Sequence, residues 1–95
     1  RIMSLEQLTE AVKGKVAGGG IEESVKFDLG ETGKIFVQGS AVSNDDAEAD
    51  CTVGISPEDL SELLSGDLNP TAAFMGGKLK VDGDMSVAMK LGSIV

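Results

Sequence analysis

The chain has 95 residues, 41% of them apolar and 25% charged, which is the length and balance of one globular domain. Sixteen acids against eight bases leave a net charge of −8, and this disfavours duplex nucleic acid, whose phosphates demand a basic footprint. The lack of histidine removes the serine–histidine triad and histidine metal centres, and a single cysteine, Cys51, removes an internal disulfide and any multi-cysteine metal site.

In chain order, "SLEQLTEAVKGKV" is the first element. Ser4 with Gln7 has the pattern of a capping box, and Leu5, Leu8, Val12 and Val16 fall on one face of a helix. Three glycines, Gly18 to Gly20, stop it. "SVKFDL" then alternates, with Val25, Phe27 and Leu29 on one side and Lys26 and Asp28 on the other. A "GETG" turn leads into a second strand, "KIFVQG", and the pair reads as a hairpin. "AEADCTVGI" alternates again through Ala49, Cys51, Val53 and Ile55.

The acidic connection "SNDDAEAD" lacks the central glycine and terminal glutamate of a calcium loop, so it reads as solvated chain. Cys51 reads as a small buried side chain and not as a reactive thiol.

"SPEDLSELLSG" has Ser56 as cap, Pro57 at the first helical position, an apolar face of Leu60, Leu63 and Leu64, and Gly66 as its end. "NPTAAFMGG" repeats these signals as a very short helix capped by Asn69. "KLKVDG" is a strand with Leu79 and Val81 inward. "DMSVAMKL" is a closing helix capped by Asp84, with Met85, Ala88 and Met89 on one side. Strands and helices do not alternate regularly, which predicts an α+β fold with a mostly antiparallel sheet covered by helices.

No group for catalysis emerges. Carboxylate pairs such as Glu58 and Asp59 sit at helix starts, where they serve the helix dipole. Three phenylalanines without tyrosine or tryptophan make a poor base-stacking surface. A non-enzymatic domain without metal or cofactor is expected. The methionines and leucines can simply pack helices onto the sheet, but methionine also adapts to irregular apolar shapes and leaves room for a ligand.

The stretch "LLSGDLNPTAAFMGGKLKVDGDMSVAMKL", residues 63 to 91, resembles the C-terminal half of the sterol carrier protein type-two family, with its asparagine–proline helix start, "AFM", "GKLKVDGD" and "AMKL". "VKFDL" and "ADCTVGISPEDLSELLSG" fit the same family more loosely. The resemblance implies about five antiparallel strands covered by helices, with an apolar tunnel between the layers; "SAVS", residues 40 to 43, is the expected additional strand. It implies binding and transfer of fatty acid, fatty acyl-CoA or sterol, transient membrane contact, and a fused or partner lipid-metabolising enzyme. It implies Phe27, Phe36, Leu60, Leu63, Leu64, Phe74, Met75, Met85, Ala88, Met89 and Leu91 as tunnel residues. Two rival expectations stand beside it: an accessory domain presenting acyl substrates to a fused dehydrogenase or thiolase, and a dimerisation or scaffold domain. The chain opens on Arg1, so residues 1–95 are expected to be one domain of a longer protein. No targeting signal is visible, and an intracellular setting, cytoplasmic or peroxisomal, is the expectation.

Overall fold

The computed structural model of the chain describes residues 4–90. Helix α1 (Leu5–Val16) opens on the expected reciprocal cap: Gln7 N–H donates to Ser4 Oγ at 3.2 Å and Ser4 N–H to Gln7 Oε1 at 2.9 Å. Strand β1 (Ile21–Asp28) starts earlier than its alternation suggests, because Ile21 already pairs with Gly39 before a bulge at Glu22 and Glu23. Two adjacent acids break the period of two there, and the bulge accommodates both residues without a partner on β2. A 3-10 turn, Gly30–Thr32, leads into β2 (Lys34–Gly39), and β3 (Ala41–Ser43) follows at once.

Next come β4 (Cys51–Ile55), α2 (Pro57–Ser65), α3 (Pro70–Met75), β5 (Leu79–Gly83) and α4 (Met85–Lys90). Ala49, expected on the third main strand, lies in the connection before β4, half-buried. Ser56 and Asn69 cap α2 and α3 through side-chain oxygens that accept the first free N–H groups, and Pro57 and Pro70 sit where no helical donor is needed.

The five strands form one sheet in the order β3-β2-β1-β4-β5. Three of the four pairings are antiparallel; the central one, β1 with β4, is parallel. A parallel pair needs a crossover, and here residues 44–50 supply it by passing β2 and β1. Lys26 holds Asp46 at 2.7 Å on one sheet face, while Asn44 donates from Nδ2 to both Thr9 Oγ1 and Lys34 O, each at 2.9 Å.

The buried side chains of the sheet, among them Val25, Phe27, Ile35, Val37, Val53 and Ile55, share the other face, and the helices cover that one. Helix α1 packs on β3 and α2, whereas α4 lies against β1, β4 and β5 and α3 against β5. Leu8, Val12, Val16, Leu60, Leu63, Leu64 and Val87 supply the helical side of the core. Burying a side chain of this size contributes about 1.5–3 kcal/mol.

The described part of helix α4, Met85–Lys90, is held at Asp84 and at Lys90 as well as by the buried Val87. Asp84 N–H donates to Asp50 O at 3.0 Å, and a Cβ at Gly83 would stand 2.6 Å from that same oxygen. Gly83 also has φ +109°, a region L side chains rarely adopt. The Asp84 carboxylate accepts from the Ser86 hydroxyl at 2.6 Å and the Ser86 N–H at 2.9 Å, and these bonds hold its pKa below the usual carboxylate range. At the far end, Lys90 donates to Glu23 at 2.7 Å, lowering the Glu23 pKa and raising its own.

Two outcomes follow. Gly83→Ala is expected to cost about 1–3 kcal/mol in denaturant unfolding, whereas Gly14→Ala, in an exposed helical position with open space, should stabilise slightly. Equal effects at the two sites would remove the close approach at Asp50 as the reason for glycine. Depressed carboxylate pKa values contribute stability that is present above the unfolded pKa and is lost as pH falls through the folded value. Stability should therefore decline between roughly pH 5 and pH 2. The Glu23→Gln/Asp84→Asn variant should show a shallower acid limb; an unchanged limb would mean that other carboxylates carry it.

Candidate functional site

Where the sheet is covered by the short α3 and α4, the layers do not close. Phe27, Val53 and Val81 are successive Cα partners across β1, β4 and β5, so the alternation of three strands brings one row of side chains to the helical face. Leu79, one pair along opposite Ile55, extends this floor. Above it stand Leu63 of α2, Pro70, Thr71 and Phe74 of α3, and Met85, Ala88 and Met89 of α4. Together these residues enclose a cleft of about 290 Å³, near the lower end of the volumes of small-molecule sites.

The floor is dry and the rim is wet. Phe27 and Val53 are fully buried, whereas Phe74 and Met85 are nearly half exposed and Met89 is 82% exposed. Met85 and Met89 are four residues apart, one helical turn, so both side chains reach the same opening. Val87, between them, points into the core and pins the helix.

Among the described residues no charged side chain lines the cleft, and Thr71 alone of them brings a hydroxyl to it. The Cys51 thiol is buried, and burial pushes its pKa up, so it is neither at the opening nor a thiolate. Among the described residues no group of three His, Cys, Asp or Glu side chains could hold a metal ion. The arrangement offers an apolar guest a surface and offers no group for acid–base or nucleophilic chemistry.

Six expected residues meet here: Phe27, Leu63, Phe74, Met85, Ala88 and Met89. Four described ones do not. Phe36 is on the opposite sheet face, paired with Lys26 and Ser43, because Ile35 and Val37 take the core side. Three apolar residues in a row in "KIFVQG" leave the parity of that strand open, and burial of its two aliphatic neighbours decides it. Leu60 and Leu64 are spent inside the core, one helical turn apart on a stripe beside Leu63. Met75, at the end of α3, is 80% exposed and outside the cleft. Leu91 lies outside the described residues.

Five lining residues were missed: Val53, Leu79, Val81, Pro70 and Thr71. The first three carried a signal, since each alternates onto the helix-facing side of its strand. Pro70 and Thr71 read only as helix-start residues, and nothing local marks that start as facing a cleft.

Residues 2–95 match the model of the SCP-2 sterol transfer family. Sterol carrier protein 2 of Oryctolagus cuniculus is 44% identical over 81 residues, which are 85% of this chain but 14% of that protein, so the chain spans about one seventh of the relative's length. Sterol Carrier Protein 2 Like 2 from Aedes aegypti superposes with a TM-score of 0.81 at 23% identity, covering 98% of this chain and 97% of that one. Palmitated SCP2L2 from the same organism superposes with a TM-score of 0.71 at 21% identity, covering 97% and 94%. The five-stranded sheet, its helical cover and the match over nearly the whole sequence agree: this chain belongs to the SCP-2 sterol transfer family.

Proposed function

We propose that this domain binds a long-chain acyl lipid, a fatty acid or fatty acyl-CoA, in the cleft between α3, α4 and the β1–β4–β5 floor, and carries it without altering it. Membership of a sterol transfer family supports lipid binding and transfer in general. The observation that carries the narrower reading is a cleft whose lining, among the described residues, includes no charge and one hydroxyl. Such a lining solvates a hydrocarbon chain and leaves an ionised headgroup at the wet rim, where its hydration is kept. The palmitated neighbour supports an acyl chain as a guest on this fold. A sterol remains the competing guest, and the two differ in shape: a flexible chain can follow a shallow cleft past Phe74 and Met89, whereas a rigid ring system needs a deeper one.

A second reading rests on a relative. Hydroxysteroid dehydrogenase-like protein 2 of Bos taurus is 48% identical over 44 residues, which are 46% of this chain and 10% of that protein, and this favours a domain that hands lipid to a lipid-metabolising enzyme. Binding is the same in both readings; only the destination of the lipid differs. Mass measured under native conditions separates both from a dimerisation role, since a lipid adds a few hundred daltons and a partner adds a whole chain.

Titration with a fluorescent long-chain fatty acid is expected to saturate with a Kd below about 100 μM, which corresponds to about 5.5 kcal/mol. Failure to saturate in that range, with the domain folded, rejects the acyl reading.

Met89 allows the cleft to be separated from the core. Because its side chain is largely exposed, Met89→Ala should cost less than about 1 kcal/mol, whereas Phe27→Ala should cost about 3–5 kcal/mol. Met89→Asp puts a carboxylate at the opening and should weaken fatty-acid binding while leaving the domain folded. Denaturant unfolding beside the titration decides it: a large stability loss with unchanged affinity would make Met89 a core residue.

A further inference from the structure

We propose that Met85 and Met89 are modification sites whose oxidation by peroxide releases the bound lipid, so that the rim of the cleft is a redox-sensitive gate. The inference rests on the acyl-lipid reading of the cleft. Both side chains line the opening and both residues are solvent-exposed, Met85 by 48% and Met89 by 82%. Peroxide reaching this site meets no competing thiol, because Cys51 is fully buried on β4.

The chemistry closes without a further reactant. A sulfur lone pair attacks one peroxide oxygen, the O–O bond breaks as the S–O bond forms, and the second oxygen leaves as water. Sulfur loses two electrons and peroxide gains them. The product sulfoxide is polar and chiral, and a thiol-dependent methionine sulfoxide reductase can return it to the thioether.

The consequence differs between the empty and occupied protein. In the empty protein a sulfoxide oxygen at this rim faces water, and the fold is little disturbed. With an acyl chain lying against the two side chains, that oxygen loses part of its water, most at the less exposed Met85, and among the described lining residues only the Thr71 hydroxyl is a side-chain donor. An unpaired acceptor against hydrocarbon is costly, so oxidation weakens the liganded state selectively. Met75 provides an internal contrast: it is 80% exposed and equally open to peroxide, but it does not line the cleft.

The test uses the full chain before and after hydrogen peroxide, with peptide mass mapping to locate each added oxygen and fluorescent fatty-acid titration to read affinity. Oxidation at Met85 and Met89 is expected to weaken binding by about tenfold, with the denaturant midpoint retained. The Met85→Leu/Met89→Leu variant, whatever its own affinity, should keep that affinity through the same treatment, and Met75→Leu should stay as sensitive as the wild type. Saturating fatty acid should slow oxidation at Met85 and leave Met75 unaffected. Unchanged affinity after complete oxidation of both residues overturns the gate alone, as does equal sensitivity in the double leucine variant. Absence of saturable binding to the reduced chain overturns the acyl reading and the gate with it.

Discussion

Asp50 is the junction on which the cleft depends. Its carboxylate accepts the Ser24 N–H at 3.0 Å, its own N–H donates to Ser24 Oγ at 2.9 Å, and its carbonyl accepts the Asp84 N–H at 3.0 Å. The first two bonds close the β1 bulge and fix where β4 joins β1; the third fixes where α4 begins. A parallel pair has no tight turn to set its register, so this reciprocal contact takes the place a hairpin turn has elsewhere. From that register comes the Phe27–Val53–Val81 row, and from that row the floor of the site.

The two halves of the sheet are covered unequally, and that inequality creates the cavity. Over β3 lies α1, three turns long, supported by α2. Helix α3 packs on β5, and α4 on β1, β4 and β5. Among the described residues these two helices present one core side chain apiece, Ala73 in α3 and Val87 in α4. They anchor without filling. What is left is an opening edged by Phe74, Met85 and Met89, which would be a liability on a protein with no apolar guest.

Charge is kept away from this opening. The ion pairs of the sheet, Lys26 with Asp46 and Lys34 with Asp28, involve side chains of the uncovered face or its edge, and Lys90 with Glu23 braces the end of α4 outside the lining. The acidic connection 44–50 is therefore structural: it carries the crossover and delivers Asp50.

Much of this was legible from local pattern. Caps and stops at Ser4, Ser56, Asn69 and Gly66 marked the helices, because the free N–H and C=O groups of a helix end are satisfied by neighbours a few residues away. Alternation in "SVKFDL" and "KLKVDG" identified core faces, and the "NPTAAFMGGKLKVDGD" stretch pointed to the family. Three matters were settled only by tertiary structure. Pairing of β4 with β1 is non-local, so no short window records it. The parity of "KIFVQG" was ambiguous until the sheet placed Ile35 and Val37 inward and turned Phe36 away. Leu60, Leu63 and Leu64 look alike on a helical wheel and all three are buried in the core, but only the position of α2 beside α1 and the sheet brings Leu63 to the cleft as well. Local sequence determines which face of an element is apolar; whether that face meets a packed neighbour or an open space depends on where the neighbouring elements sit, and here the seating of α3 on Ala73 and of α4 on Val87 decides it.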